Sequence, residues 1–230
     1  MKSTTVFIFL TMLLIVGCKD SSTNNPDPTV SDSVFTDIRD GKKYSIVKIN
    51  KQVWMSENLD ASTYRNGDSI RHASTLEEWL DASEKQVGAW CYYNHDPING
   101  EIYGKQYNLY AVNDTRGLVP AGYHIPSDKE WTVLTDFLGG EDLAGQKMKS
   151  LTGWADSGNG TNSSGFNGLP GGYCFDTGDF DGVAEVGGWW SSSEYDSYSS
   201  WGRFLNTINT KVFRGFNDKG SALSVRCLRD

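Results

Sequence analysis

The side chains in this sequence best placed to do chemistry are aromatic rings. Gly187-Gly188-Trp189-Trp190-Ser191-Ser192-Ser193-Glu194 sets two adjacent tryptophans between a glycine pair and a serine run, and Tyr195, Tyr198, Trp201 and Arg203 follow closely. In an extended segment neighbouring side chains alternate between faces, so one of Trp189 and Trp190 is expected in the core and the other outward or in a cleft. Exposed rings offer flat apolar surfaces for stacking, and Arg203, Asp179 and Asp181 would supply hydrogen-bonding rims. The expectation is a site for a glycan or a protein ligand made by Trp189, Trp190, Tyr195, Tyr198, Trp201 and Arg203. The competing reading makes Trp189, Trp190 and Trp201 core residues of a glycine-rich fold with few aliphatic side chains.

Asp176-Thr177-Gly178-Asp179-Phe180-Asp181-Gly182 places three carboxylates at close spacing in a loop, the donor set that a hard cation such as calcium takes. Asp176, Asp179 and Asp181 are therefore a candidate calcium site, although the EF-hand spacing and its closing glutamate are absent; an Asp- and Gly-rich turn is the alternative. No other cofactor is expected. For catalysis the chain is poor. His72, His95 and His124 have no metal-ligand spacing among them, and His124, ahead of a helix, reads as structural. Ser191, Ser192 and Ser193 lack a Gly-x-Ser-x-Gly context. Glu185 with Glu194 is the sort of carboxylate pair that any acidic protein offers.

These residues need elements to position them. Tyr44-Ser45-Ile46-Val47-Lys48-Ile49 and Val53-Trp54-Met55 read as strands joined at Asn50-Lys51. Ser74-Thr75-Leu76-Glu77 reads as a capping box, followed by Leu76, Trp79 and Leu80 at helical spacing. Ser127-Asp128-Lys129-Glu130 is a clearer one, and Trp131, Leu134 and Leu138 form an apolar stripe that Gly139-Gly140 ends. Weaker helical signals lie between Lys105 and Val112 and around Leu143 to Lys149. Residues 152–188 are mostly Gly, Asn, Ser, Thr and Asp and read as a long functional loop. Short strand-like runs around Trp201 to Leu205, Val212 to Arg214 and Ala222 to Leu228 close the chain. The pattern is α+β, without an internal repeat.

The N-terminus reads as an address. Met1-Lys2, an apolar run from Val6 to Val16 and then Gly17-Cys18 make an export signal too short to span a membrane stably. Ile15-Val16-Gly17-Cys18 looks like a bacterial lipobox, so residues 1–17 are expected to be a lipoprotein signal peptide and Cys18 the lipidated residue. Residues 18–33, rich in Ser, Asn, Asp and Pro, are expected to be a disordered tether, with one domain over 34–230. The membrane contact expected is this N-terminal lipid anchor alone. The formal net charge is -8 with no basic cluster, which argues against nucleic acid as a partner. An exported chain meets oxidising conditions, and Cys91 and Cys227, both in strand-like runs, are the expected disulfide. Three buried free thiols are the alternative.

Seven pieces, in order, carry a family resemblance: Asp40-Gly41-Lys42-Lys43-Tyr44, Gln52-Val53-Trp54-Met55-Ser56-Glu57-Asn58-Leu59, Tyr103-Gly104-Lys105-Gln106-Tyr107-Asn108, Gly122-Tyr123-His124-Ile125-Pro126-Ser127-Asp128-Lys129-Glu130-Trp131, Gly168-Leu169-Pro170-Gly171-Gly172, Trp189-Trp190-Ser191-Ser192-Ser193-Glu194 and Ser224-Val225-Arg226-Cys227. Together they resemble the Fibrobacter succinogenes major paralogous domain, whose members are typically exported and often lipoproteins. His124 to Trp131 and the Ser-Val-Arg-Cys ending are also similar to the formylglycine-generating sulfatase-modifying family, which implies a C-type-lectin-like body of few short helices and twisted antiparallel sheets. The catalytic cysteine pair of those enzymes has no clear counterpart here. Members of the first family commonly carry Cys at the position of Val119, which supplies another partner for the last cysteine.

The function expected from all this is a non-catalytic, lipid-anchored module on the bacterial outer membrane and cell surface, meeting a glycan or a protein. The alternatives are an exported enzyme with Cys174 or Cys227 reactive, and a structural envelope protein.

Overall fold

The computed structural model describes residues 34–230; the expected signal peptide, Cys18 and the tether lie outside the described residues. The first part of the chain gives strands β1 (Val34–Thr36), β2 (Lys43–Ile49), β3 (Gln52–Met55) and β4 (Arg71–His72), helix α1 (Leu76–Glu84), β5 (Ala89–Cys91), α2 (Pro97–Tyr103), β6 (Gln106–Tyr107), α3 (Leu109–Val112) and β7 (Tyr123–His124). Helices α4 (Asp128–Phe137) and α5 (Glu141–Met148) follow, then β8 (Gly171–Cys174), β9 (Phe180–Val183), β10 (Val186–Glu194), β11 (Ser199–Asn206), β12 (Phe213–Asp218) and β13 (Leu228–Arg229). They make an α+β domain of few helices and mostly antiparallel sheets. One sheet has the order β1-β2-β3-β13-β7, a second β12-β11-β10-β8-β9, and a small third β4-β5-β6.

Local sequence explains the secure elements. Ile49 pairs with Gln52, so Asn50-Lys51 is a two-residue hairpin loop, and Asn50 takes the positive φ of 55° that Asn tolerates there. Ser127 caps α4 by accepting from the Glu130 amide while Glu130 reaches back to the Ser127 amide. Trp131, Leu134 and Leu138 then face inward and are buried. In α1 the cap sits one residue later than expected: Thr75 accepts from the Glu78 amide, and the Glu78 carboxylate takes the amide and hydroxyl of Ser74. Of that helix's expected stripe only Trp79 is buried; Leu76 and Leu80 stay partly exposed.

Two larger differences concern the middle of the chain. The helix expected over Lys105 to Val112 shrinks to α3, which Asn108 caps by accepting from the Ala111 amide. Gln106 and Tyr107 are strand instead, because their backbone pairs with Cys91 and Trp90 of β5, and the Gln106 side chain donates to the carbonyls of Gly171 and Gly172, both at 2.9 Å. Part of the expected long loop is also sheet. β8 and β9 form a hairpin inside it, and Gly172, within β8 at a positive φ of 64°, is required there: a Cβ would lie 2.5 Å from the Asp181 carbonyl oxygen.

Two main cores and a smaller third fill the space between these elements. The first gathers Tyr44, Met55, Tyr107, Trp190, Leu223 and Val225. The second gathers Val47, Trp54, Trp131, Leu134, Phe166 and Trp189. The third lies under α1 and holds Trp79, Cys91 and Cys174. The segment after β12 threads between sheets: Leu223 bridges Tyr107, Ala222 bridges Cys174, and Ser224 bridges Trp189. It ends as β13, between β3 and β7.

Candidate ligand-binding groove

The second sheet brings its side chains together in rows across β10, β11 and β12. One row runs Trp189, Arg203, Arg214 and another runs Gly188, Phe204, Phe213; Trp190 lies opposite Gly202, which lies opposite Gly215. Adjacent rows point to opposite faces. On the first face Arg203 is 2% exposed and its guanidinium donates to Asp128 Oδ1 at 2.7 Å and to the Asp128 carbonyl at 3.0 Å, locking α4 onto the sheet.

On the other face the Phe204 ring lies on a floor of glycines. A Cβ built at Gly188, Gly202 or Gly215 would come within 2.9, 3.1 and 3.1 Å of that ring, so side chains there would displace it. Beyond this floor opens a groove of about 410 Å³. Its rings are Tyr173, Phe175, Phe204 and Phe213. Tyr173 stands edge-on to Phe175 at 5.0 Å between ring centres and to Phe204 at 6.5 Å. The polar lining comes from Asn206, Asn217, Asp218 and Ser221. Asn206 Oδ1 is buried without a hydrogen-bond partner. Burial, with Asp176 and Asp196 nearby, raises the Asp218 carboxyl above the usual range.

None of the six residues expected to bind ligand lines this groove. Trp189 and Trp190 do point to opposite faces, but both faces are covered, and the two are 1% and 0% exposed. The expected outward tryptophan is therefore a core residue, since β10 lies between the two main cores. Arg203 is buried as well. Tyr195 and Trp201 stand on the α4 side of the sheet with Phe216, Tyr195 stacking flat on Phe216 at 4.2 Å. Tyr198 is exposed next to Lys219, away from the groove rings. Tyr173, Phe175, Phe204 and Phe213 were hidden in sequence because their common face follows from pairing register. The available signal was the matching alternation of Gly202-Arg203-Phe204 and Phe213-Arg214-Gly215.

Two further expectations are corrected. Among the described residues no three His, Cys, Asp or Glu side chains gather as a metal cage, so the calcium site at Asp176, Asp179 and Asp181 is not formed. Asp179 accepts from Thr177, while Asp181 accepts from Tyr173 and from the Gly182 amide, as the carboxylates of a hairpin turn do. Cys91 and Cys227 make no disulfide; they occupy different core clusters, and Cys91, Cys174 and Cys227 are all free and buried. Burial pushes the Cys174 and Cys227 thiols up to about 12 and Cys91 well above its ordinary value. Such thiols carry almost no nucleophilic thiolate near neutral pH.

The histidines sit apart. His72 stacks on Trp90 at 3.8 Å, His95 Nδ1 lies 3.1 Å from the Ala73 carbonyl, and His124 bridges Glu130 and Asp230 at 3.0 and 2.8 Å. His124 thus ties the start of α4 to the end of the chain.

Comparison with known families places this arrangement. The family model of the Fibrobacter succinogenes major domain matches residues 47–229, which take in the second and third cores, the first apart from Tyr44 and Ile46, the capped helix α4 and every residue of the groove. The chain belongs to the Fibrobacter succinogenes major domain family. The match starts within β2 and ends in β13, so the unit that defines the family is the folded body itself. No curated protein and no solved structure gives a significant match to this chain.

Proposed function

We propose that this major domain is a non-catalytic binding module that takes a glycan in the groove between Tyr173, Phe175, Phe204 and Phe213. The carrying observation is the composition of that groove: exposed rings on several sides, with two amides, a carboxylate and a hydroxyl at the margin. Rings of this sort take the apolar faces of pyranoses, and amides with both donors and acceptors match ring hydroxyls. Asn206 Oδ1 offers an acceptor with no internal claim on it. Asp218 is the one carboxylate among the lining residues, whereas glycoside cleavage employs two. That supports retention of the ligand rather than its hydrolysis.

The same reading places the module outside the cell on a lipidated Cys18, from the lipobox-like Ile15-Val16-Gly17-Cys18, and treats the body as C-type-lectin-like. The first hairpin, β2 and β3, shares a sheet with the last strand, and α1 and α4 pack beside the sheets, which supports that fold. The test is binding of the full chain, in mild detergent, to a panel of plant, host and bacterial polysaccharides. Phe213→Ala should abolish retention that Trp201→Ala leaves intact; silence across the panel rejects the glycan reading. For the address, Cys18→Ala should move the protein out of the membrane fraction.

A further inference from the structure

The groove leaves one prominent feature of the same sheet unused. β12 is an edge strand of six residues, and among the described residues the backbone of Phe213 to Asn217 has no backbone partner on the side away from β11. Native proteins usually blunt such an edge with proline, charged side chains or a bulge. Phe213-Arg214-Gly215-Phe216-Asn217-Asp218 has no proline and no bulge, and its two charges are of opposite sign; its register with β11 is unbroken, and Phe213 and Phe216 are 40% and 53% exposed.

The edge carries charges of opposite sign at its two ends, Arg214 and Asp218. Toward its start, Arg203 and Arg214 share the single carboxylate of Asp128, with Arg214 donating to both of its oxygens at 2.9 and 3.0 Å. Glu141 lends Arg214 a further, more distant negative field, and Arg214 is the exposed one of the two guanidinium groups. At its end Asp218 is in no ion pair among the described residues, and Asp176 and Asp196 add their negative fields.

We propose that β12 pairs antiparallel with β12 of a second copy of this chain, about a two-fold axis at Phe216. With Phe216 opposite its own counterpart, Arg214 of each copy stands opposite Asp218 of the other, and like rings meet at the centre. A two-fold at Gly215 or at Asn217 would set Arg214 against Phe216 or Gly220 instead, and the charges would go unmatched. Opposite charges on directly facing residues stabilise an antiparallel pair, like charges destabilise it, and an isologous contact of this kind closes at two copies. Two five-stranded sheets become one continuous sheet, with the two grooves on it.

The test is a charge exchange read by sedimentation equilibrium on the full chain in mild detergent, across micromolar concentrations. The wild type should be dimeric. Arg214→Asp alone and Asp218→Arg alone each place like charges opposite one another twice, and each should weaken the dimer by about tenfold or more. An equimolar mixture of the two variants restores both attractive pairs and should form a heterodimer with wild-type affinity. That recovery also shows that both variants are folded. A monomeric wild type, a single variant that dimerises as well as wild type, or a mixture that stays monomeric would each overturn the proposal.

Discussion

Trp189 and Trp190, neighbours in β10, are hydrogen-bonded into different halves of the molecule: Trp189 Nε1 donates to Asn58 Oδ1 at 2.8 Å and Trp190 Nε1 to the Tyr107 carbonyl at 2.7 Å. Each ring also fills a different core. Trp189→Ala and Trp190→Ala should therefore each cost about 3–5 kcal/mol in urea unfolding, with no surface tryptophan of the pair to spare. Were either substitution to cost under about 1 kcal/mol, its ring would not be a core residue.

The groove predicts the reverse pattern. Phe213 is partly exposed and touches no main core, so Phe213→Ala should alter stability by less than about 1 kcal/mol while removing glycan binding. Gly202→Ala should perturb both, since its new methyl meets the Phe204 ring and the Trp189 carbonyl at 3.1 Å. Overpacking of that kind costs about 1–3 kcal/mol, which calorimetry would register as a lower melting temperature.

Asp128 joins α4 to the sheet, and this contact should be lost in acid. Burial alone would raise its carboxyl, but the hydrogen bonds from Arg214 and Arg203 and their charges outweigh that and hold it below the usual range. A carboxyl depressed by folding contributes stability that is fully present above its unfolded value of about 3.9 and lost as pH falls through the folded value. The acid limb of the stability profile should thus steepen below about pH 4 in wild type and flatten in Asp128→Asn. At neutral pH the same variant leaves the buried Arg203 without its carboxylate, at a cost of about 3 kcal/mol. An unchanged acid limb in Asp128→Asn would disprove the linkage.

The cysteines give a chemical check. With all three buried thiols pushed up, alkylation at pH 8 should be slow in the native protein and rapid after unfolding, and a reductant should leave the melting temperature unchanged. Fast native labelling at Cys174 would contradict its burial.

How much of this was legible depended on the range of the forces involved. Ser127 to Leu138 reads correctly because a cap and an apolar stripe are local. Asn50-Lys51 reads correctly for the same reason. The Trp189 to Arg203 surface does not, because pleating tells which face a ring takes but not what covers that face. Nor could the Asp176 to Asp181 cluster be judged from spacing alone, since convergence of carboxylates depends on a hairpin that pairs β8 with β9. The groove escaped notice because its rings come from positions 173 to 213 and share a face only once β11 and β12 are in register.

The pairing of β13 with the first hairpin also sets an order of events in folding. Met55 and Leu59 give their amides to the carbonyls of Cys227 and Val225, and the Arg226 guanidinium donates to the carbonyls of Met55 and Phe166. The first hairpin is thus completed by residues some 171 positions further along the chain. Both main cores lack a wall until those two stretches meet. Contacts of such sequence separation make slow folders, so the hairpin gains its stability in one late, cooperative closure rather than piece by piece.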